Sequence, residues 1–170
     1  LDTSFGSSGQ VVIDLGDYDQ ATSVVVQSDG KLVLAGSTGV VRLNANGSLD
    51  TGFGSGGKAI IPVGTSSSLA NTVIQLSNGK LLVGGDNFSG TNRDFSVVRL
   101  NANGSLDTSF GVEGRVVAPI STSHEYAKDM IVQADGKLVL LGSSTDGSVR
   151  FSIIRLNPDG SLDDSFNASQ

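Results

Sequence analysis

The stretch Leu1-Asp2-Thr3-Ser4-Phe5-Gly6 returns as Leu49-Asp50-Thr51-Gly52-Phe53-Gly54 and as Leu106-Asp107-Thr108-Ser109-Phe110-Gly111, and Leu162-Asp163-Asp164-Ser165-Phe166 begins a fourth copy. The steps are 48, 57 and 56 residues, a spacing that marks a repeat array. Two further markers keep their order inside each unit. Asp29-Gly30-Lys31 matches Asn78-Gly79-Lys80 and Asp135-Gly136-Lys137, and Val40-Val41-Arg42-Leu43-Asn44 matches Val97-Val98-Arg99-Leu100-Asn101 and Ile153-Ile154-Arg155-Leu156-Asn157. The chain therefore divides into units 1–48, 49–105 and 106–161, with a partial repeat at 162–170, all within a single repeat domain. The first step is short because residues 36–38 stand where 85–95 and 142–151 stand in the other units, so that segment is expected to be a surface loop.

Each unit reads as four short strands, placed in the first unit near residues 10–15, 21–27, 31–36 and 39–44, and no window sustains apolar residues at helical spacing. Ser28-Asp29-Gly30 supplies a tight hairpin turn, because Asp tolerates and Gly favours positive φ. Asn46-Gly47, Asn103-Gly104 and Asp159-Gly160 supply a second turn after the fourth strand, which makes each unit a small meander. The third strands, Leu32-Val33-Leu34-Ala35, Leu81-Leu82-Val83-Gly84 and Leu138-Val139-Leu140-Leu141, are continuous apolar runs, the pattern of strands covered on both faces. Sheets stacked face to face cover one another in this way. The expected fold is therefore all-β, a beta-propeller-like array of three four-stranded repeats. A beta-trefoil shares the three four-stranded repeats, but its barrel strands would alternate inside and outside, and this chain has no Trp and only 5% aromatic residues to fill a barrel.

Composition narrows the function. Of 170 residues, 17 are acidic and 11 basic, for a net charge of −6 that repels phosphate backbones and anionic lipid surfaces, so nucleic acid is not an expected partner. No apolar run reaches the roughly 20 residues of a membrane-spanning helix, and no membrane insertion is expected. Without cysteine there are no disulfides, thiolate metal sites or cysteine nucleophiles. The chain opens on Leu1 with neither a basic nor an apolar leader, so it reads as processed or excised from something longer.

No motif assembles a catalytic, cofactor or metal site. His124, the one histidine, lies in Ser123-His124-Glu125-Tyr126, and no motif offers it a nucleophile and an orienting acid. Asn44-x-Asn46-Gly47-x-x-Asp50 and its two counterparts loosely resemble a calcium loop but lack its closing Glu, and an Asx-stabilised turn accounts for them. Asp50, Asp107 and Asp163 recur beside Arg42, Arg99 and Arg155, a pairing that ties strands together. Gly54-Ser55-Gly56-Gly57-Lys58 lacks the spacing of a phosphate-binding loop. Variability sits between the first and second strands, where Asp17-Tyr18-Asp19-Gln20, Ser66-Ser67-Ser68-Leu69 and the His124 segment differ, and in the polar loops 86–94 and 143–150. The ligand-binding candidates are accordingly Tyr18, Asp19, Phe88, Asn92, Arg93, His124, Glu125, Tyr126 and Arg150, with a polar ligand such as a glycan as the expected partner.

These residues resemble the delta-60 repeat family of bacterial propeller repeats. The shared marks are Leu-Asp-x-Ser-Phe-Gly, Gln-x-Asp-Gly-Lys before an aliphatic strand, and the pattern that residues 94–105 follow as Asp94-Phe95-Ser96-Val97-Val98-Arg99-Leu100-Asn101-Ala102-Asn103-Gly104-Ser105. The first unit lacks the Asp-Phe pair and the third has Arg150-Phe151 in its place. The resemblance implies a propeller scaffold in a secreted or cell-surface bacterial protein, and it transfers no catalytic residue. Closed propellers need about four to eight blades, so three units imply a homo-oligomer or a place in a longer array. The functional expectation is a non-enzymatic recognition or adhesion module at the bacterial surface. The alternatives are a structural spacer or oligomerisation unit, and an enzyme with an axial acidic site.

Overall fold

A computed structural model describes residues 1–16, 19–37, 39–61 and 69–167. Three antiparallel sheets follow one another along the chain. The first contains β1 (Ala21–Val26), β2 (Leu32–Gly36), β3 (Gly39–Leu43) and β4 (Lys58–Ile60) in that order. The second contains β5 (Leu69–Gln75), β6 (Leu81–Phe88), β7 (Arg93–Leu100) and β8 (Arg115–Ala118), and the third contains β9 (His124–Val132), β10 (Leu138–Asp146) and β11 (Ser148–Leu156). A single 3-10 turn at Asp164–Asn167 is the only helical element among the described residues.

The turns form as their chemistry dictates. Gly30 donates its N–H to the Gln27 carbonyl at 2.9 Å with φ of 81°, and the Asp29 side chain accepts from Lys31 N–H at 3.1 Å. Asn46, Asn103 and Asp159 accept from the N–H two residues on, at 3.0, 3.0 and 2.9 Å, so the calcium-like pattern is a set of Asx turns.

Sheet membership departs from the expected meander. β4 and β8, which open the second and third units, pair with β3 and β7 of the unit before. Each of these two sheets is thus closed by a strand from the next repeat. The corresponding first segment, residues 10–15, forms no strand and makes only bridges at Gln10, because no described strand stands where its partner would be. The segments expected as long loops are mostly ladder as well. β6 and β7 pair through Asn87↔Asp94 and Phe88↔Arg93, and β10 and β11 continue to Asp146↔Ser148. Hydrogen bonding between the two strands satisfies the polar backbone there, so Ser, Thr and Asn content did not produce irregular chain.

Two cores fill the spaces between the sheets. Val33, Val40, Phe53, Leu81, Val83 and Val98 pack between the first and second sheets, and Leu82, Phe95, Val97, Phe110, Met130 and Leu140 between the second and third. The run Leu81-Leu82-Val83 sends its side chains alternately into both cores, so the apolar run does mean two covered faces. Each such side chain contributes about 1.5–3 kcal/mol by leaving water. This stacking is that of propeller blades and not of a trefoil barrel. In the third sheet the expectation of two covered faces fails: β10 buries Leu138 and Leu140 but leaves Leu141 exposed, since no described sheet lies on that side.

The repeated motif joins sheet to sheet. In the last three copies the Asp of Leu-Asp-x-x-Phe accepts from an Arg and from the hairpin Lys of the unit before it: Asp50 from Lys31 at 2.9 Å and Arg42 at 2.7 Å, Asp107 from Lys80 at 2.7 Å and Arg99 at 2.5 Å, Asp163 from Lys137 at 2.8 Å and Arg155 at 2.6 Å. The same guanidinium lies over the motif Phe, 4.6 Å from the ring centroids of Phe53, Phe110 and Phe166. Arg42 and Arg99 then reach the following sheet, donating to Ala102 O at 2.6 Å and Pro158 O at 2.8 Å. Gly104 adopts φ of 86°, and a Cβ there would stand 3.0 Å from the Phe53 ring and 2.8 Å from Gly54 N, so only glycine lets ring and turn meet.

Candidate ligand-binding rim

The start of β9 and the β6–β7 hairpin meet at one end of the second and third sheets. Arg93 organises the contact. Its guanidinium donates to Asp86 and lies 5.3 Å from the centroid of the Phe88 ring, while its backbone N–H donates to His124 Nδ1 at 3.3 Å. Next to it Asn92 Nδ2 donates to Thr122 O at 2.9 Å. The His124 and Tyr126 rings stand 6.3 Å apart, and Thr145 Oγ1 donates to His124 O at 3.1 Å.

Glu125 is completely buried at this junction. One carboxylate oxygen accepts from Ser121 N–H at 2.5 Å, and the other, Oε2, has no hydrogen-bond partner among the described residues. An acceptor left in that state is a cost of about 1–3 kcal/mol or more unless something fills it. Burial raises the pKa of Asp94, and the Glu125 charge adds to the rise. Asp86 is also raised by burial, against the opposing pull of Arg93 and of Asn71, whose Nδ2 bonds both Asp86 at 3.3 Å and Ala127 O at 2.7 Å. Among the described residues no three His, Asp or Glu are arranged to hold a metal ion.

Of the residues singled out in the sequence, Phe88, Asn92, Arg93, His124, Glu125 and Tyr126 come together here, on strands and a hairpin tip and not on the loop expected around His124. Arg150 is exposed on β11, opposite Ser144, which in turn stands opposite Glu125. Asp19 is elsewhere, exposed beside the first sheet with its carboxylate accepting from Leu15 N–H at 2.6 Å. Tyr18 lies outside the described residues. Sequence reasoning missed Asp86 and Asn71, which fix Arg93. An acidic residue closing the otherwise apolar and glycine run Leu81-Leu82-Val83-Gly84-Gly85 was the available signal. Chemically, the rim offers two aromatic rings, an amide and an imidazole whose Nδ1 is engaged by backbone. That inventory suits hydrogen bonding and stacking with a hydroxyl-rich ligand.

A family model described as a domain of unknown function (DUF5122) beta-propeller matches residues 27–53, 76–110 and 133–166. Each matched stretch runs from the hairpin before Asp/Asn-Gly-Lys to the motif Phe. No curated protein matches the chain. Among solved structures, a protein of unknown function from Bacteroides caccae is similar at 14% identity and a TM-score of 0.38, over 89% of this chain and 68% of that one.

Proposed function

The chain belongs to the DUF5122 beta-propeller family, and on that premise we propose that it is a non-enzymatic recognition module that binds a polar ligand, of the glycan class, on the rim between its second and third sheets. The resemblance of the repeat markers to the delta-60 pattern supports a place on a secreted or surface-attached bacterial protein, and adhesion is the role we propose for it. The observation that carries the reading is the meeting of the β6–β7 hairpin tip with the start of β9, where Asn92 bonds Thr122 O, Arg93 N–H bonds His124 Nδ1, and Phe88, His124 and Tyr126 stand half-buried. Sugar hydroxyls hydrogen-bond amide and imidazole groups, and sugar faces stack on aromatic rings. Rigid sheets hold these groups in place while hairpin tips vary the surface.

A glycan array probed with the chain and with Asn92→Ala and Tyr126→Ala tests the proposal. Binding that either substitution removes, with circular dichroism unchanged, supports it. An array without hits, or hits that survive both substitutions, overturns it. The second reading, a structural spacer or oligomerisation unit, is favoured by the bare outer face of the third sheet. It predicts assembly with no ligand dependence.

A further inference from the structure

The outer face of the third sheet has the composition of an interior surface. Phe151 is 97% exposed there, whereas Phe95, at the equivalent place in the second sheet, is 0% exposed beneath the third. Ile153 and Ile131 are more than half exposed, while their counterparts Val97 and Ile74 are packed in the core. β11 also lacks a fourth strand among the described residues, although β3 and β7 each receive one.

The opposite end of the chain carries the missing part. Residues 10–13 align with 58–61 and 115–118, which supply β4 and β8, yet they pair with no strand. They already lie against the first sheet, lining a cleft with Leu34, Gly36 and Val41. Gly6 N–H donates to Asn46 O at 2.8 Å, the same bond that Gly54 makes to Asn103 O and Gly111 to Asp159 O, each at 2.8 Å. So this segment sits on the first sheet as its counterparts sit on the second and third. What is lacking behind it is a three-stranded sheet with an open edge, and the third sheet is one.

We propose that the third sheet of one molecule docks head to tail on the first sheet of a second copy of this chain, residues 10–13 of the second copy pairing antiparallel with β11. Phe95↔Ala118 and Val97↔Val116 give the register: Phe151 opposite Ile13 and Ile153 opposite Val11. Arg155 gains in this arrangement what Arg42 and Arg99 already have, a backbone carbonyl in the next sheet, here that of Ala45 in the second copy. The seat for the motif Phe between the two molecules has two claimants, Phe166 and the incoming Phe5. Asp163 is held by Lys137 and Arg155, whereas among the described residues the Asp2 carboxylate bonds only Ser4. Phe166 therefore keeps the seat and residues 1–5 of the incoming copy turn aside.

The chain has no cysteine, which makes the register testable by cross-linking. Ile13→Cys and Phe151→Cys are made as separate variants of the 170-residue chain, mixed and oxidised, since directly opposed strand positions are within disulfide reach after small adjustments. The proposal expects a 13–151 disulfide dimer, a sedimentation mass of the unaltered chain that rises with concentration, and association about 30-fold weaker in Phe151→Ser, as loss of a buried aromatic anchor gives. Phe151 touches no core in the single chain, so circular dichroism should not change. A 151–151 cross-link alone would mean face-to-face docking and would overturn the proposal, as would a monomer at every concentration. Neither readout depends on glycan binding, so the two proposals fail separately.

Discussion

Replacing Phe110 by Ala and Phe166 by Ala makes the same chemical change in the same motif, each ring under an Arg guanidinium at 4.6 Å (Arg99 and Arg155), in two different surroundings. Phe110 is 0% exposed, in the same buried core as Leu82, Met130, Leu138 and Leu156, with its ring edge 2.9 Å from where a Cβ on Gly160 would stand. Truncating such a ring costs about 3–5 kcal/mol, transfer and cavity together. Phe166 is 41% exposed and has no following sheet against it among the described residues. Its loss gives up roughly half of the 2–3 kcal/mol that full burial is worth and leaves no closed cavity, so about 1–1.5 kcal/mol. Urea unfolding followed by circular dichroism separates the two. With a slope of about 2 kcal/mol/M, the midpoint falls by about 2 M for Phe110→Ala and by about 0.5 M for Phe166→Ala. The measurement belongs at a concentration where sedimentation shows the monomer. Equal shifts would refute the idea that the motif Phe acts by filling the space between successive sheets and would make it a local ornament of the Arg.

Two more outcomes follow from the geometry. Gly104→Ala should destabilise by about 2–3 kcal/mol, left-handed strain plus displacement of the Phe53 ring, while Gly56→Ala, at φ of 61° with nothing within 4 Å, should cost about 1 kcal/mol by the same urea assay; a Gly56 cost as large as that of Gly104 would sink the close-approach account. The Asp50 carboxyl is lowered to about 2, chiefly by the Lys31 bond and then by Arg42. Asp163 is also held well below the usual range, by Lys137 and Ser165, and in Asp107 burial that pushes upward is outweighed by Lys80, Ser109 and Arg99. A carboxyl lower in the folded than in the unfolded chain contributes stability that is fully present above about pH 4 and lost as pH falls from there toward 2. Asp86 and Asp94, raised by burial, act with the opposite sign. The urea midpoint should therefore drop most steeply below pH 4, and a midpoint that climbs on acidification through that window would count against the three ion-paired clusters.

Much of the fold could be read before any coordinates. Asp-Gly-Lys placed the hairpins, and Leu81-Leu82-Val83 announced two covered faces because side chains on successive strand positions point to opposite sides. Arg42 with Asp50 was legible as a tie, though the Lys31 that completes it was not, since nothing local distinguishes that lysine from a solvated one. The allegiance of residues 58–60 and 115–118 was hidden for a different reason. Strand pairing depends on which edge is open in space, and a strand opening one unit has the same pattern whichever neighbour it joins. At the rim, Phe88, Asn92, Arg93 and His124 stood out as variation on a constant frame. Asp86, which anchors Arg93, did not, because its role comes from a neighbouring strand and from burial. Polar composition misled at residues 86–94 and 143–150, where ladder pairing satisfied what composition assigned to loops.

Because β4 and β8 each belong to the sheet before their own unit, the period of the gene and the period of the architecture are out of phase. Lengthening such a protein by tandem duplication then needs no favoured breakpoint: a copy begun anywhere in the period inserts one whole sheet, supplied with a closing strand by whatever comes next. The same phase shift interlocks neighbours, so no single period can peel away without stripping an edge from the one before it. Arrays built on this plan can grow or shrink in evolution while each internal joint stays as firmly latched as the last.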